Sequence, residues 1–113
     1  MKNKLHQLEI DSWQMLLVEL AKDHLEIKTI ILFGSFALGT QSRRSDVDLA
    51  IVMETSESFL NRGKVIHGKI LKIFKPYPVD FLIYTPEEFE RMKVSGNRFI
   101  KKILEAGKVL YER

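Results

Sequence analysis

Three short apolar runs limit what this chain can fold into. They are Thr29-Ile-Ile-Leu-Phe33, Asp46-Val-Asp-Leu-Ala-Ile-Val-Met53 and Val79-Asp-Phe-Leu-Ile-Tyr84, rich in β-branched and aromatic residues. Each is bounded by turn or polar residues and is too short for a core helix, so each reads as a buried strand. Between them the apolar residues recur at helical spacing. Ile10, Trp13, Leu17, Leu20 and Ala21 mark a helix over about 5–25, in which Asp11 and Gln14 could cap a second start. Phe59, Ile66, Ile70 and Ile73 mark a helix over about 57–75, ended by Pro76-Tyr77-Pro78. Thr85-Pro86-Glu87-Glu88 has capping-box spacing with Pro at the first helical position and starts a helix to about 94. Another helix is expected over about 97–106, capped at Gly107, with a last short strand at Val109-Leu-Tyr111. The predicted order is α-β-loop-β-α-β-α-α-β, an α/β (α+β) fold with a small mixed β-sheet flanked by helices.

The length of 113 residues fits one domain, 1–113, with no repeat and no linker. Hydrophobic residues make up 45% and charged residues 29%, which excludes a disordered or collagen-like chain. With no cysteine there is no disulfide scaffold, thiolate metal site or cysteine nucleophile. No 18-residue apolar run and no apolar leader is present, so the expectation is a cytoplasmic protein that does not enter a membrane. Charge is uneven. Residues 1–60 carry 6 basic and 9 acidic side chains, and residues 61–113 carry 12 and 6. The basic second half could face a phosphate-bearing ligand or an acidic partner, or be a solvated surface.

Aspartate is depleted in strands, and a charge on a packed strand is costly unless something pairs with it. Asp46 and Asp48 nevertheless fall in one run, two residues apart and therefore on one face. Their repulsion is relieved if a divalent cation sits between them. Hard oxygen ligands with no His or Cys nearby suit Mg²⁺, which keeps positions open for water and phosphate. Asp80 lies 32 residues beyond Asp48, a separation that fits one β-α-β crossover. Parallel strands would bring Asp46, Asp48 and Asp80 to one end of the sheet. For Gly34-Ser35 to share that end, the first strand must run antiparallel to the second. Gly34 allows close backbone approach, and a short helix from Ser35 would turn N–H groups toward a phosphate.

Residues 33–52, FGSFALGTQSRRSDVDLAIV, resemble the core motif of the polymerase-beta-like nucleotidyltransferases, in which Gly-Ser precedes Asp-hydrophobic-Asp and a third carboxylate lies on a later strand. Over roughly 28–111 the chain is similar to the minimal nucleotidyltransferase branch. That resemblance implies Asp46, Asp48 and Asp80 as ligands of two Mg²⁺ ions, Asp80 also activating the attacking hydroxyl, and Gly34 and Ser35 holding the phosphates of ATP. It also implies transfer of AMP to a tyrosine on an all-helical HEPN-domain toxin, with this chain as antitoxin. Minimal members often carry Gly-Ser-Arg-Ala-Arg-Gly; here Phe36 and Leu38 stand at the arginine positions, and Arg43-Arg44 come later in the loop as candidate phosphate contacts.

A catalytically silent module that neutralises a helical partner by contact alone is the competing reading. Transfer to a small molecule lacks an acceptor domain, and nucleic acid as a direct ligand lacks an aromatic platform. A homo-oligomer is left open. His6, His24 and His67 read as surface or packing residues and Trp13 as core or a partner contact. Lys69, Lys72 and Lys75 read as a solvated face, with contact to a phosphate as the alternative.

Overall fold

The computed structural model describes residues 2–42 and 44–113, with side chains from residue 6 onward. Four strands form one sheet: β1 (Ile27–Phe33), β2 (Val47–Met53), β3 (Val79–Tyr84) and β4 (Lys108–Glu112), in the spatial order β3-β2-β1-β4. β2 and β3 are parallel, and β1 is antiparallel to both β2 and β4. The mixed sheet and the reversed first strand agree with the sequence reading.

α1 (Lys2–Lys22) and α3 (Lys64–Phe74) cover one face. α1 is one continuous helix, with no second start at Asp11; the Asp11 carboxylate instead accepts from Gln7 Nε2 at 2.9 Å, one turn back. Its buried stripe of Ile10, Trp13, Leu17 and Leu20 meets Ile27, Ile30 and Leu32 of β1 and Val47, Leu49 and Ile51 of β2. Each such side chain contributes about 1.5–3 kcal/mol by leaving water.

The stretch read as a helix over 57–75 is broken. A 3₁₀ turn at Phe59–Asn61 precedes Gly63, whose φ of +82° starts α3 at Lys64. A Cβ at Gly63 would collide with Ile83 and Phe81, so the chain turns here where only glycine fits. Phe59 therefore leaves the predicted stripe, and Phe74 takes its place in the core beside Ile66 and Ile70.

α4 (Pro86–Val94) and α5 (Arg98–Ala106) cover the other face, packing Phe89, Met92, Ile100 and Ile103 on Ile31, Ala50 and Tyr84. Both bonds of the capping box are present at α4: Glu88 N–H donates to Thr85 Oγ1 at 3.2 Å, and Thr85 N–H to Glu88 Oε1 at 2.9 Å. Asn97 caps α5, accepting from Ile100 N–H at 3.1 Å. Among the described residues no helix is long and apolar enough to cross a membrane.

Candidate active site

β1 ends at Phe33, and Gly34 follows with φ of +74°. A Cβ on Gly34 would overlap the Asp48 carboxylate, so glycine is required by both the conformation and the approach of the two strands. Its carbonyl accepts from the N–H groups of Ala37 (3.1 Å) and Leu38 (3.2 Å), which winds a single turn, α2 (Ser35–Leu38). The N–H groups of Ser35 and Phe36 precede these bonds at the open start of that turn.

Three contacts hold α2 down, and the sequence reading foresaw none of them. Phe36 is fully buried, its ring 4.9 Å from Tyr77 and 5.6 Å from Trp13 between centroids. Its carbonyl lies 2.7 Å from His6 Nε2, and Gln41 Nε2 lies 2.9 Å from His6 Nδ1. A carbonyl can only accept, so His6 Nε2 carries the proton and Nδ1 accepts from the Gln41 amide. Tyr77 in turn donates its hydroxyl to Glu9 at 2.9 Å. Phe36 is thus a core anchor facing away from the carboxylates. Only a hydrophobic residue bracketed by Trp13 and Tyr77 at long range could have signalled that role.

Asp48 and Asp80 are register partners across the parallel β2–β3 pair, so they share a face and an end of the sheet. That face is the one covered by α4 and α5, because Ala50 and Tyr84 alternate with them along the strands. Asp48 is half-buried and Asp80 exposed. Asp46 lies just before β2 rather than within it. The strand begins at Val47, whose N–H donates to the Pro78 carbonyl at 2.8 Å, and leaves Asp46 exposed at the open end. Burial, then the charges of Asp80 and Asp46, push the Asp48 carboxyl above the ordinary carboxylate value. Three acidic groups therefore feel one another at one spot.

Among the described residues no three carboxylates close into a ready-made cage. The donor set still fits Mg²⁺, which takes one or two protein carboxylates and completes its octahedron with water and phosphate oxygens. Arg43 lies outside the described residues. Arg44 is exposed in a turn where its N–H donates to Ser42 Oγ at 3.3 Å and Ser42 N–H to Ser45 Oγ at 2.8 Å. Lys69 lies 3.0 Å from the buried His24 through its Nζ, on the α3 side of the sheet, so it is no phosphate ligand of this site. A cavity of about 360 Å³ lined by Glu26, Glu54, Glu57 and Lys64 sits at the Met53 end of β2, the far end from Asp48, and contributes nothing to this arrangement.

The carboxylate face has its own brace. Arg62 grips Glu88 with two bonds, Nη1 to Oε1 at 2.6 Å and Nη2 to Oε2 at 3.0 Å, and donates to the carbonyls of Ile83 and Glu57 at 3.1 Å each. The guanidinium and the Thr85 N–H hold the Glu88 carboxyl down at about 2.

A glycine turn is thus laid against one strand aspartate, itself paired in register with another. The family profile described as "Nucleotidyltransferase domain" matches residues 14–110, and the chain belongs to that family. It is 32% identical over 89 residues to "Putative protein adenylyltransferase MJ1305" of Methanocaldococcus jannaschii; the match covers 78% of this chain but only 60% of that relative's length. Its fold is similar to the crystal structure of "a putative nucleotidyltransferase from Sulfolobus solfataricus" (TM-score 0.62, 16% identity, 100% of this chain and 89% of that one). It is also similar to that of a "toxin-antitoxin with AMP-PNP" (TM-score 0.61, 21% identity, 88% of this chain and 73% of that one).

Proposed function

We propose that this protein is a Mg²⁺-dependent protein adenylyltransferase that moves AMP from ATP to a tyrosine hydroxyl of a helical, HEPN-domain toxin and so acts as its antitoxin. The observation that carries the reading is the Asp48–Asp80 register pair with Gly34 pressed against Asp48. The likeness to a protein named for protein adenylylation and to a toxin–antitoxin structure supports the choice of acceptor.

In this reading Asp46, Asp48 and Asp80 hold the metal ions and set them against the triphosphate. When bound, the ions neutralise the charge that builds on the attacking and leaving oxygens of an in-line displacement. Gly34 lets the phosphates approach the backbone, and the Ser35 and Phe36 N–H groups with the Ser35 hydroxyl hold their oxygens. Arg43 and Arg44 add positive charge from the loop. Asp80, exposed on the outer strand, orients the acceptor hydroxyl and receives its proton. The acceptor oxygen forms a bond to the α-phosphorus, the bond to the bridging oxygen breaks, and pyrophosphate leaves.

The buried Phe36 and hydrocarbon Leu38, where related loops carry arginines, favour a second reading, a silent module that neutralises its partner by contact. Incubation with labelled ATP, Mg²⁺ and the product of the neighbouring gene separates the two. Label on the partner is the expected result; a tight complex that acquires no label overturns transfer and leaves the silent module.

A further inference from the structure

Much of the positive charge in the second half of the chain lies beside an unpaired edge of the sheet. Residues 58–79 hold five basic side chains, Arg62, Lys64, Lys69, Lys72 and Lys75, and no acidic one. Arg62 is taken up by Glu88 and Lys69 by His24. Among the described residues Lys64, Lys72 and Lys75 are in no ion pair, and all three are exposed. Lys64, His67, Leu71 and Lys75 recur at helical spacing, so they form one stripe along α3 and its C-terminal end. That stripe flanks β3. The His67 ring lies 5.6 Å from that of Phe81 between centroids. Lys64 and His67 line a hollow of about 300 Å³ together with Phe81. Leu71, Lys72 and Lys75 line another of about 390 Å³ with Pro78, the residue before the strand.

β3 is the outermost strand on its side of the sheet. Val47 N–H donates to the Pro78 carbonyl, and the register pairs Val47 with Val79. Backbone groups alternate along a parallel ladder, so Asp80, Leu82 and Tyr84 turn theirs to β2 while Val79, Phe81 and Ile83 turn theirs outward. Arg62 agrees with that sense, donating to the Ile83 carbonyl from outside at 3.1 Å. Among the described residues no hydrogen bond reaches the outward N–H and C=O groups of Val79 and Phe81. Such an edge is a template for another strand. In a strand added there, the side chains opposite Val79 and Phe81 lie over the α3 stripe, and the one opposite Asp80 shares the Asp80 face. The lysine flank calls for acidic side chains in the first set. A second copy of this chain is the wrong occupant, because it brings its own lysine stripe against this one. Nucleic acid has no peptide backbone to pair with the strand.

We propose that the outer edge of β3, with the lysine stripe of α3, docks an extended acidic segment of the partner protein, which pairs with Val79 and Phe81 and sets the acceptor beside Asp80. Neighbouring strands lie about 4.8 Å apart, so the partner is anchored one strand away from the carboxylate that receives the acceptor proton. This rests on the reading of the chain as one that engages a partner protein, and it adds the surface that holds that partner.

The test is amide hydrogen exchange followed by NMR on the full chain, alone and with the product of the neighbouring gene. The Val79 and Phe81 amides should exchange freely in the chain alone and slow by about tenfold or more in the complex, while Leu82 and Tyr84, bonded to β2, are slow in both. Lys64→Glu with Lys75→Glu should raise the Kd for the partner, and the KM for it as acceptor, by about tenfold or more with kcat kept. Both lysines are exposed, so the double variant keeps its fold, and the exchange measurement needs no variant at all. A complex that transfers AMP yet leaves the Val79 and Phe81 amides unprotected, or binds the double variant as tightly as the parent, overturns the docking site and leaves the reaction standing. Protection of the two amides that rises with the concentration of the chain alone makes the edge a self-contact and overturns the proposal. So does an oligoribonucleotide that binds the parent chain and not the double variant while partner affinity is kept. A partner that neither binds nor acquires AMP removes both readings together.

Discussion

Along β2, Val47, Leu49 and Ile51 point to α1 and α3, while Asp48, Ala50 and Val52 point to α4 and α5. The first face is filled by large side chains and closed by the Trp13, Phe36, Phe74 and Tyr77 rings. The second has a smaller core at one end and carboxylates at the other. One strand thus carries a face built for packing and a face built for charge, and the period of two keeps them apart. The packed face also serves the charged one. Phe36, on the packed side, and Gly34, against Asp48, belong to the same turn, so the core fixes where that turn sits.

The sharpest way to break this division is Asp48→Asn. Transfer should fall on the order of 10³-fold, the scale of losing a charge-stabilising group at a reacting centre, while the melting temperature without metal holds or rises because the repulsion from Asp80 and Asp46 is gone. Mg²⁺ should raise the melting temperature of the parent chain and not of the variant. Retained transfer in Asp48→Asn would mean that the chemistry lies elsewhere.

Phe36→Ala attacks the other face and should cost about 3 kcal/mol in denaturant unfolding, as expected for an aromatic removed from a closed core. Phe36→Arg, which puts back the residue common in related loops, should destabilise rather than restore phosphate affinity. A stable Phe36→Arg with tighter ATP binding would show that the loop is not anchored by this ring.

Two carboxylates of the charged face respond to acid in opposite directions. Glu88 has its carboxyl held near 2, so the stability drawn from Arg62 is full above the ordinary value of 4.5 and is lost as pH falls toward 2. Asp48 is raised and has the opposite sign: its contribution is full below its ordinary value of 3.8 and is lost as pH rises through the raised one. Arg62→Ala should therefore cost about 2 kcal/mol at neutral pH and flatten the decline between pH 4.5 and 2 in unfolding midpoints. An unchanged decline would place the acid sensitivity outside the Arg62–Glu88 pair.

The smallest effect is expected of His6→Ala, which removes the tether between α1 and the Phe36 carbonyl. A loss of about 1 kcal/mol should accompany a higher KM for ATP with kcat unchanged. A fall in kcat alone would mean that His6 acts on chemistry rather than on loop position.

Much of this was legible in the residues alone. Apolar runs of strand length, the capping box at Thr85–Glu88 and the apolar stripe of α1 depend on neighbours within a few positions, and they are where the sequence placed them. Aspartates inside such runs marked the candidate site because a charge there has no other justification, and parallel pairing of β2 with β3 brings Asp48 and Asp80 level. What depended on distant partners was not legible. Asp46 falls outside β2, and the helix expected from residue 57 begins at Lys64, where Gly63 must clear Ile83 and Phe81. Phe36, at a position where minimal members often carry arginine, takes a place among Trp13, Phe74 and Tyr77, and Phe99 reaches Phe33 from 66 residues away. Local periodicity determines which segments are helix or strand and which face is apolar, because those preferences act between near neighbours. Which rings close the core, where one helix must begin and which strand aspartates come level are decided by excluded volume and pairing between segments that meet only when the chain has folded.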